Sequence, residues 1–311
     1  MFEGRFDQAL TEHLGHIPLS RGGAWIEQLV VDVPPEWTAS PDALPRDFLR
    51  AAVGAGAYLD LSCTTMFDLW SLDDLLPEIR GIRFDWETDS FTGFSALAAM
   101  DRLEYLWSGE VSEAIDLSHL QHLREAIIGG PGLLSVLRAP NLATLSLDVA
   151  TLDPDFRIPR TLREFSFSTG TIEAAHLSEA VALERIMLSE IDGVDFGGLP
   201  PSHILQRAWV TAAKYVKGLE AIAAAPSMRE IRLIRVSSID SVDSLVDSLV
   251  EHAEITGCPD VDERVSRRLE RRGWHVQPFR RRRSANVLTV ESGGDGTFEV
   301  VFADWAVLSD R

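Results

Sequence analysis

Few residues of this chain have the types and spacing that covalent or metal chemistry demands. His119-Leu-Gln-His122 sets two imidazoles three positions apart, which on a helical turn would put both on one side. A structural or catalytic metal wants three or four ligands, and neither a carboxylate nor a Cys stands beside the pair. Cys63 follows a strand signal, but a thiol nucleophile needs an activating base and the sequence places no His for it. A lone Cys ordinarily serves as a small buried hydrophobe. Gly129-Gly130-Pro131-Gly132 could cradle a phosphate after a strand, yet it contains a proline and lacks the Lys-Ser/Thr of a P-loop, so it reads as a loop. There is no nucleophile elbow and no dinucleotide glycine fingerprint. The abundant Asp and Glu show no paired spacing suited to acid–base work. The expectation is therefore no catalytic residue, no cofactor and no metal.

What remains is contact chemistry. Tyr105, Trp107, Arg185, Arg207, Trp209 and Arg232 are of the types that dominate interface energies, where truncating an anchor costs about 2 kcal/mol or more. Their placement follows from a motif of the form L-x-x-L-x-L that returns every 19 to 24 residues. Clear copies are Leu142-Ala-Thr-Leu145-Ser-Leu147, Leu162-Arg-Glu-Phe165-Ser-Phe167, Leu183-Glu-Arg-Ile186-Met-Leu188 and Met228-Arg-Glu-Ile231-Arg-Leu233. Ten copies run from Gly56 to Ile255, and all their first, fourth and sixth positions except Gly56 and Ser108 are Ala, Val, Ile, Leu, Met or Phe. Positions four and six share one face of a strand, so the residues beside them share the other. That outward face has two columns. One reads Asp60, Arg83, Trp107, Ile127, Ser146, Ser166, Met187, Trp209, Arg232 and Glu254; the column before it reads Tyr58, Gly81, Tyr105, Glu125, Thr144, Glu164, Arg185, Arg207, Glu230 and His252. A register slip of one residue would instead send both tryptophans inward.

A fixed period of this length marks a stacked-repeat architecture. Across roughly two thirds of the chain the pattern resembles the leucine-rich repeat family, in an irregular array of the bacterial type. The resemblance implies an α/β solenoid with a parallel sheet on its concave face, where partners of such proteins usually dock. One feature departs from the family. The Asn or Cys expected after two further residues beyond the sixth position is nearly absent: Pro131, Ala150, Ile191, Ala213 and Val236 stand there, and only Cys258 fits. Turns without that side chain must satisfy their backbone in another way.

The flanks do not repeat. Ile26–Val33 reads as a strand closed by Pro34-Pro35, and the segment from Pro41 suggests a short helix. Residues 1–55 are expected to form an N-terminal cap, 56–258 the solenoid, and 259–311 a C-terminal α+β extension. In that extension 260–273 reads as a helix with Gly273 as C-cap. Val287–Val290 and Phe298–Phe302 read as a hairpin, and Trp274, Phe279 and Trp305 supply apolar bulk.

Composition bounds the function. The net charge of -19 disfavours general affinity for nucleic acid or anionic membrane. Residues 264–283 run against it, with nine arginines to Glu270, a local +8 that leaves -27 on the rest. The Arg280–Arg283 run could bind anions; docking on the acidic body is the plainer expectation. Two distant cysteines make no disulfide framework, and the start of the chain has no secretory pattern, so a reducing cytoplasm is expected. No stretch is long and apolar enough to span a bilayer. The expected function is non-enzymatic protein binding through the concave face. Alternatives are an acidic inhibitor or immunity-type protein that neutralises a basic partner, a homodimer, and an enzyme or substrate receptor with its chemistry in the C-terminal extension.

Overall fold

The computed structural model describes residues 14–21, 24–38, 43–61, 66–84, 90–240, 242–261 and 263–278. Thirteen strands lie side by side in chain order: β1 Leu14–Arg21, β2 Ala24–Val33, β3 Tyr58–Leu61, β4 Gly81–Phe84, β5 Tyr105–Glu110, β6 Glu125–Gly129, β7 Thr144–Asp148, β8 Glu164–Ser168, β9 Arg185–Ser189, β10 Arg207–Lys217, β11 Glu230–Ile239, β12 His252–Cys258 and β13 His275–Pro278. β1 and β2 pair antiparallel. From β2 onward every neighbouring pair is parallel. Parallel neighbours need a crossover, and here the crossovers are short: single turns or brief helices such as Leu134–Arg138, Ala174–Leu177 and Leu219–Ala223. A period near 20 residues leaves room for nothing longer.

The apolar motif explains the core. Of the thirty expected inward positions, all but Gly56 are at most 2% exposed, and they form one continuous cluster with the apolar residues of the crossovers. Ser108 sits in that core with its hydroxyl buried and unpartnered. Residue pairing is in phase throughout the repeats, Leu145 opposite Phe165 and Phe165 opposite Ile186, so each apolar row runs straight through the stack.

Two residues past the sixth motif position the chain turns a corner in the left-handed region. Gly130 and Gly257 occupy it, as φ > 0 favours. Thr169, Glu190, Ala212 and Arg235 take the same conformation at φ of 56–66°. Beyond the corner β10 and β11 continue, and Gly193–Asp195 joins them in a second parallel strip.

The missing asparagine ladder is replaced by unlike side chains, each reaching back one coil. The Asp240 carboxylate accepts from Gly218 N and that of Asp260 from Ile239 N, both at 2.8 Å. Ser135 accepts from Leu117 N and donates to Ile115 O. Asn141 donates to Gln121 O at 2.7 Å and Ser227 to Leu205 O at 3.0 Å. Cys258, in the ladder position, directs its Sγ at Leu233 O at 3.5 Å. Burial pushes its thiol up to about 11, which makes it an unreactive structural Cys.

The flanks extend the sheet rather than only covering its ends. β2, within the expected cap, pairs parallel with β3, and β13, beyond residue 258, pairs parallel with β12. Helix α1, Arg46–Gly54, buries Phe48, Leu49, Ala52 and Val53. Its Arg46 holds Asp73 and Asp74 at 2.8 Å each. Helix α2, Glu263–Glu270, falls inside the segment read as helical, and Gly273 follows it at φ 78° with its N–H on Glu270 O. Arg272 does not seek carboxylates. It donates to the carbonyls of Leu245, Val246, Ser248 and Val250 and lies 4.2 Å over Trp274. Arg268 reaches Asp243 at 3.5 Å. Cys63, Phe279, Arg280–Arg283, the hairpin segments of 287–302 and Trp305 lie outside the described residues.

Candidate binding face

Alternation along the strands puts one side of the sheet on the core and, among the described residues, leaves the other open. The tryptophans are on the open side, in the expected register. Trp107 lies between buried Leu106 and Ser108, and Trp209 between buried Ala208 and Val210; both indoles are half-buried.

Each indole is held by an arginine of the adjacent strand. The Arg83 guanidinium stands 3.9 Å from the Trp107 ring centre, and the Arg232 guanidinium 4.6 Å from that of Trp209. These are cation–π distances. Carboxylates complete both sets, Asp60 and Glu254 from the next strands and Glu230 from the strand of Arg232 itself. Asp60 faces Arg83 at 3.6 Å. Glu230 at 2.7 Å and Glu254 at 3.8 Å hold Arg232. Along the middle column the order is therefore acid, Arg, Trp, then Ile127, Ser146, Ser166 and Met187, then Trp, Arg, acid. The outer groups fix each indole and leave its inner side facing the uncharged stretch. The Trp209 indole N–H is itself buried without a partner.

The column before it is less open than alternation alone implies. Tyr105, expected as a contact residue, is only 3% exposed. It stacks on Tyr58 with ring centres 5.5 Å apart, and both lie against Val30 and Trp107. The strand between them carries Gly81, where an added Cβ would fall 2.2 Å from the Tyr58 ring. The absent side chain lets the two rings meet, and burial pushes the Tyr105 phenol up. Tyr105 is thus the bed under Trp107 rather than an exposed contact. Arg185 is half-buried and pairs with Glu164 at 3.2 Å; Arg207 is exposed and pairs with Glu230 at 3.7 Å. Glu164 is only 7% exposed, and burial outweighs the Arg185 attraction, raising its pKa.

A third column, after the second, completes the face. A bulge in β5 sets Glu110 opposite Gly129, in line with Asp148, Ser168 and Ser189. The reading from sequence put Arg83 in the outward column without naming it a contact residue, and left out Glu110. Arg83 was signalled by its neighbouring place in the Trp107 column. The bulge had no such signal.

The other candidates do not assemble. His119 bonds Ala98 O at 2.9 Å, outside any helix. Among the described residues no group of three His, Cys, Asp or Glu could hold a metal. Gly130 turns a corner at φ 73°, and Gly132 packs on the backbone of Val111 and Glu113, so the glycines allow close coil approach. Among the described residues no helix is long and apolar enough to cross a membrane.

No protein-family model and no curated protein matches the chain. A solved structure does: the complex of Toll with Spatzle, described as a molecular hub in Drosophila development and innate immunity. Toll is a leucine-rich repeat protein. The two superpose at a TM-score of 0.50 over 74% of this chain, with 12% identity. The fold is leucine-rich-repeat-like. The chain spans 40% of the length of the Drosophila-complex chain it matches, and at that identity the likeness is one of fold.

Proposed function

We propose that this leucine-rich-repeat-like protein is a non-enzymatic, cytoplasmic scaffold that binds a protein partner through the open face of its sheet. Within the repeat family it would be an irregular array of the bacterial type, with that face concave. The observation that carries the reading is the pair of half-buried indoles, each under an arginine that is itself held by a carboxylate. A clamped side chain loses little conformational freedom on binding, which lowers the cost of association. Trp and Arg are also the commonest interface anchors. In the Toll–Spatzle complex a protein of this fold has a protein partner. The contact residues are Trp107, Arg185, Arg207, Trp209 and Arg232, with Tyr105 as support.

The test compares capture from native lysate by the wild type and by a Trp107→Ala, Trp209→Ala variant of matched melting temperature. A protein retained by the first and lost by the second supports the reading. Equal capture by both moves the site off this face.

A further inference from the structure

Between the two tryptophans the open face is patterned in charge. Its middle column, Trp107, Ile127, Ser146, Ser166, Met187 and Trp209, is uncharged, and Met187 is 37% exposed. Carboxylates flank it on both sides: Glu125 and Glu164 in the column before, Glu110 and Asp148 in the column after. Against these four, the described columns from β5 to β10 hold two cations, Arg185, on Glu164, and Arg207, on Glu230. Five inter-strand spacings separate the indoles, about 24 Å at the usual spacing. About 16 residues of α-helix cover that length.

We propose that this strip receives a basic amphipathic helix of the partner protein, laid across the strands. Its apolar side rests on the Trp107–Trp209 column, and its Lys or Arg side chains reach the flanking carboxylates. The proposal rests on the open face being the binding face. A helix fits because it satisfies its own backbone, and this face offers side chains rather than free backbone groups. An extended segment crossing the strands would leave its N–H and C=O groups to find partners there. Glu164 points the same way. Its ionised form is disfavoured by burial in spite of Arg185 and Arg207, and a further cation above it would offset that cost.

The test titrates the full chain, by calorimetry, with three synthetic peptides of about 18 residues: an amphipathic Lys/Leu helix, its Glu/Leu counterpart, and a Lys/Ser peptide of equal charge. The Lys/Leu peptide alone is expected to bind. Its affinity should fall roughly 30-fold or more in the Trp107→Ala, Trp209→Ala variant, the size of one anchor's loss. A Trp107→Phe, Trp209→Phe variant, which keeps the apolar bed, should lose less. Glu164→Gln should weaken binding several-fold while the melting temperature stays at or above that of the wild type. Equal binding of the Glu/Leu or Lys/Ser peptide, or unchanged affinity in the Trp variants, overturns the proposal. So does a concentration-dependent dimer abolished by the Trp changes, which would make a second copy the occupant. A lysate partner lost with the Trp variant while no peptide binds would leave the face standing and remove the basic helix.

Discussion

Ser108 is the one polar side chain in a motif position of the core, and its hydroxyl finds no partner there. Leaving such a group unpaired costs about 1–3 kcal/mol. Ser108→Ala is therefore expected to raise stability by about 1 kcal/mol, read as a shift of the denaturant midpoint; an unchanged or lower midpoint would mean that the hydroxyl is satisfied. His176 and His203 carry a second prediction. Both are buried, and burial lowers both imidazole pKa values. The folded state then holds fewer protons than the unfolded chain below the ordinary value near 6.5. Their contribution is complete above about pH 6.5 and is lost as the pH falls toward the lowered folded values. Each Nδ1 accepts a backbone N–H, from Glu173 and Leu205 respectively, and Asn can replace that acceptor. Between pH 7.5 and 5 the wild-type melting temperature should drop more steeply than that of a His176→Asn, His203→Asn variant. Parallel curves would exclude the histidines as the cause.

Among the elements, the strands were legible because burial on one face imposes a period of two within each motif and a period near 20 between motifs. Leu145, Phe165 and Ile186 declare their rows by type alone. The tryptophans followed from the same alternation. Tyr105 did not, because its burial depends on Gly81 leaving room one strand away, a relation between coils rather than within one. The backbone ladder escaped for a related reason: Asp, Ser, Asn and Cys perform one task at unlike offsets. β2 and β13 carry no L-x-x-L-x-L, so their membership in the sheet is visible only in the pairing. The corners escaped too, since Thr169, Glu190, Ala212 and Arg235 are not types that announce φ > 0. Holding an L-residue there costs about 1 kcal/mol. Ala212→Gly should thus stabilise by up to about 1 kcal/mol, whereas Ala213→Gly, at the buried neighbour without that φ, should destabilise by about as much. Calorimetric melting of the two variants checks the sign, and destabilisation by both would mean that the corner carries no strain.

Over the whole molecule, charge is arranged in two ways. Exposed pairs link successive coils at the start of the strands, as between Arg80 and Glu104, Arg163 and Glu184 at 3.4 Å, and Arg229 and Glu251 at 2.7 Å. Each such pair contributes about 0.2–1 kcal/mol and weakens with salt. The net charge of -19 opposes compaction, and salt relieves that repulsion as the Debye length shrinks. With so large an imbalance the repulsion should win, so the melting temperature is expected to rise between about 20 and 200 mM sodium chloride. A fall would show that the inter-coil pairs outweigh the repulsion.

The in-phase rows have a consequence for how this chain can change length. The crossovers absorb a residue more or less, since successive motifs stand 19 to 24 residues apart, but a single residue inserted within a motif strand would shift its side chains against both neighbours at once, breaking core row and corner together. Adding or removing a complete coil breaks none of them, because the two faces it separates already match. The number of strands should therefore vary in whole turns, and each turn placed between β5 and β10 would move the two indoles apart by one strand spacing. The distance between them is a ruler graduated in coils.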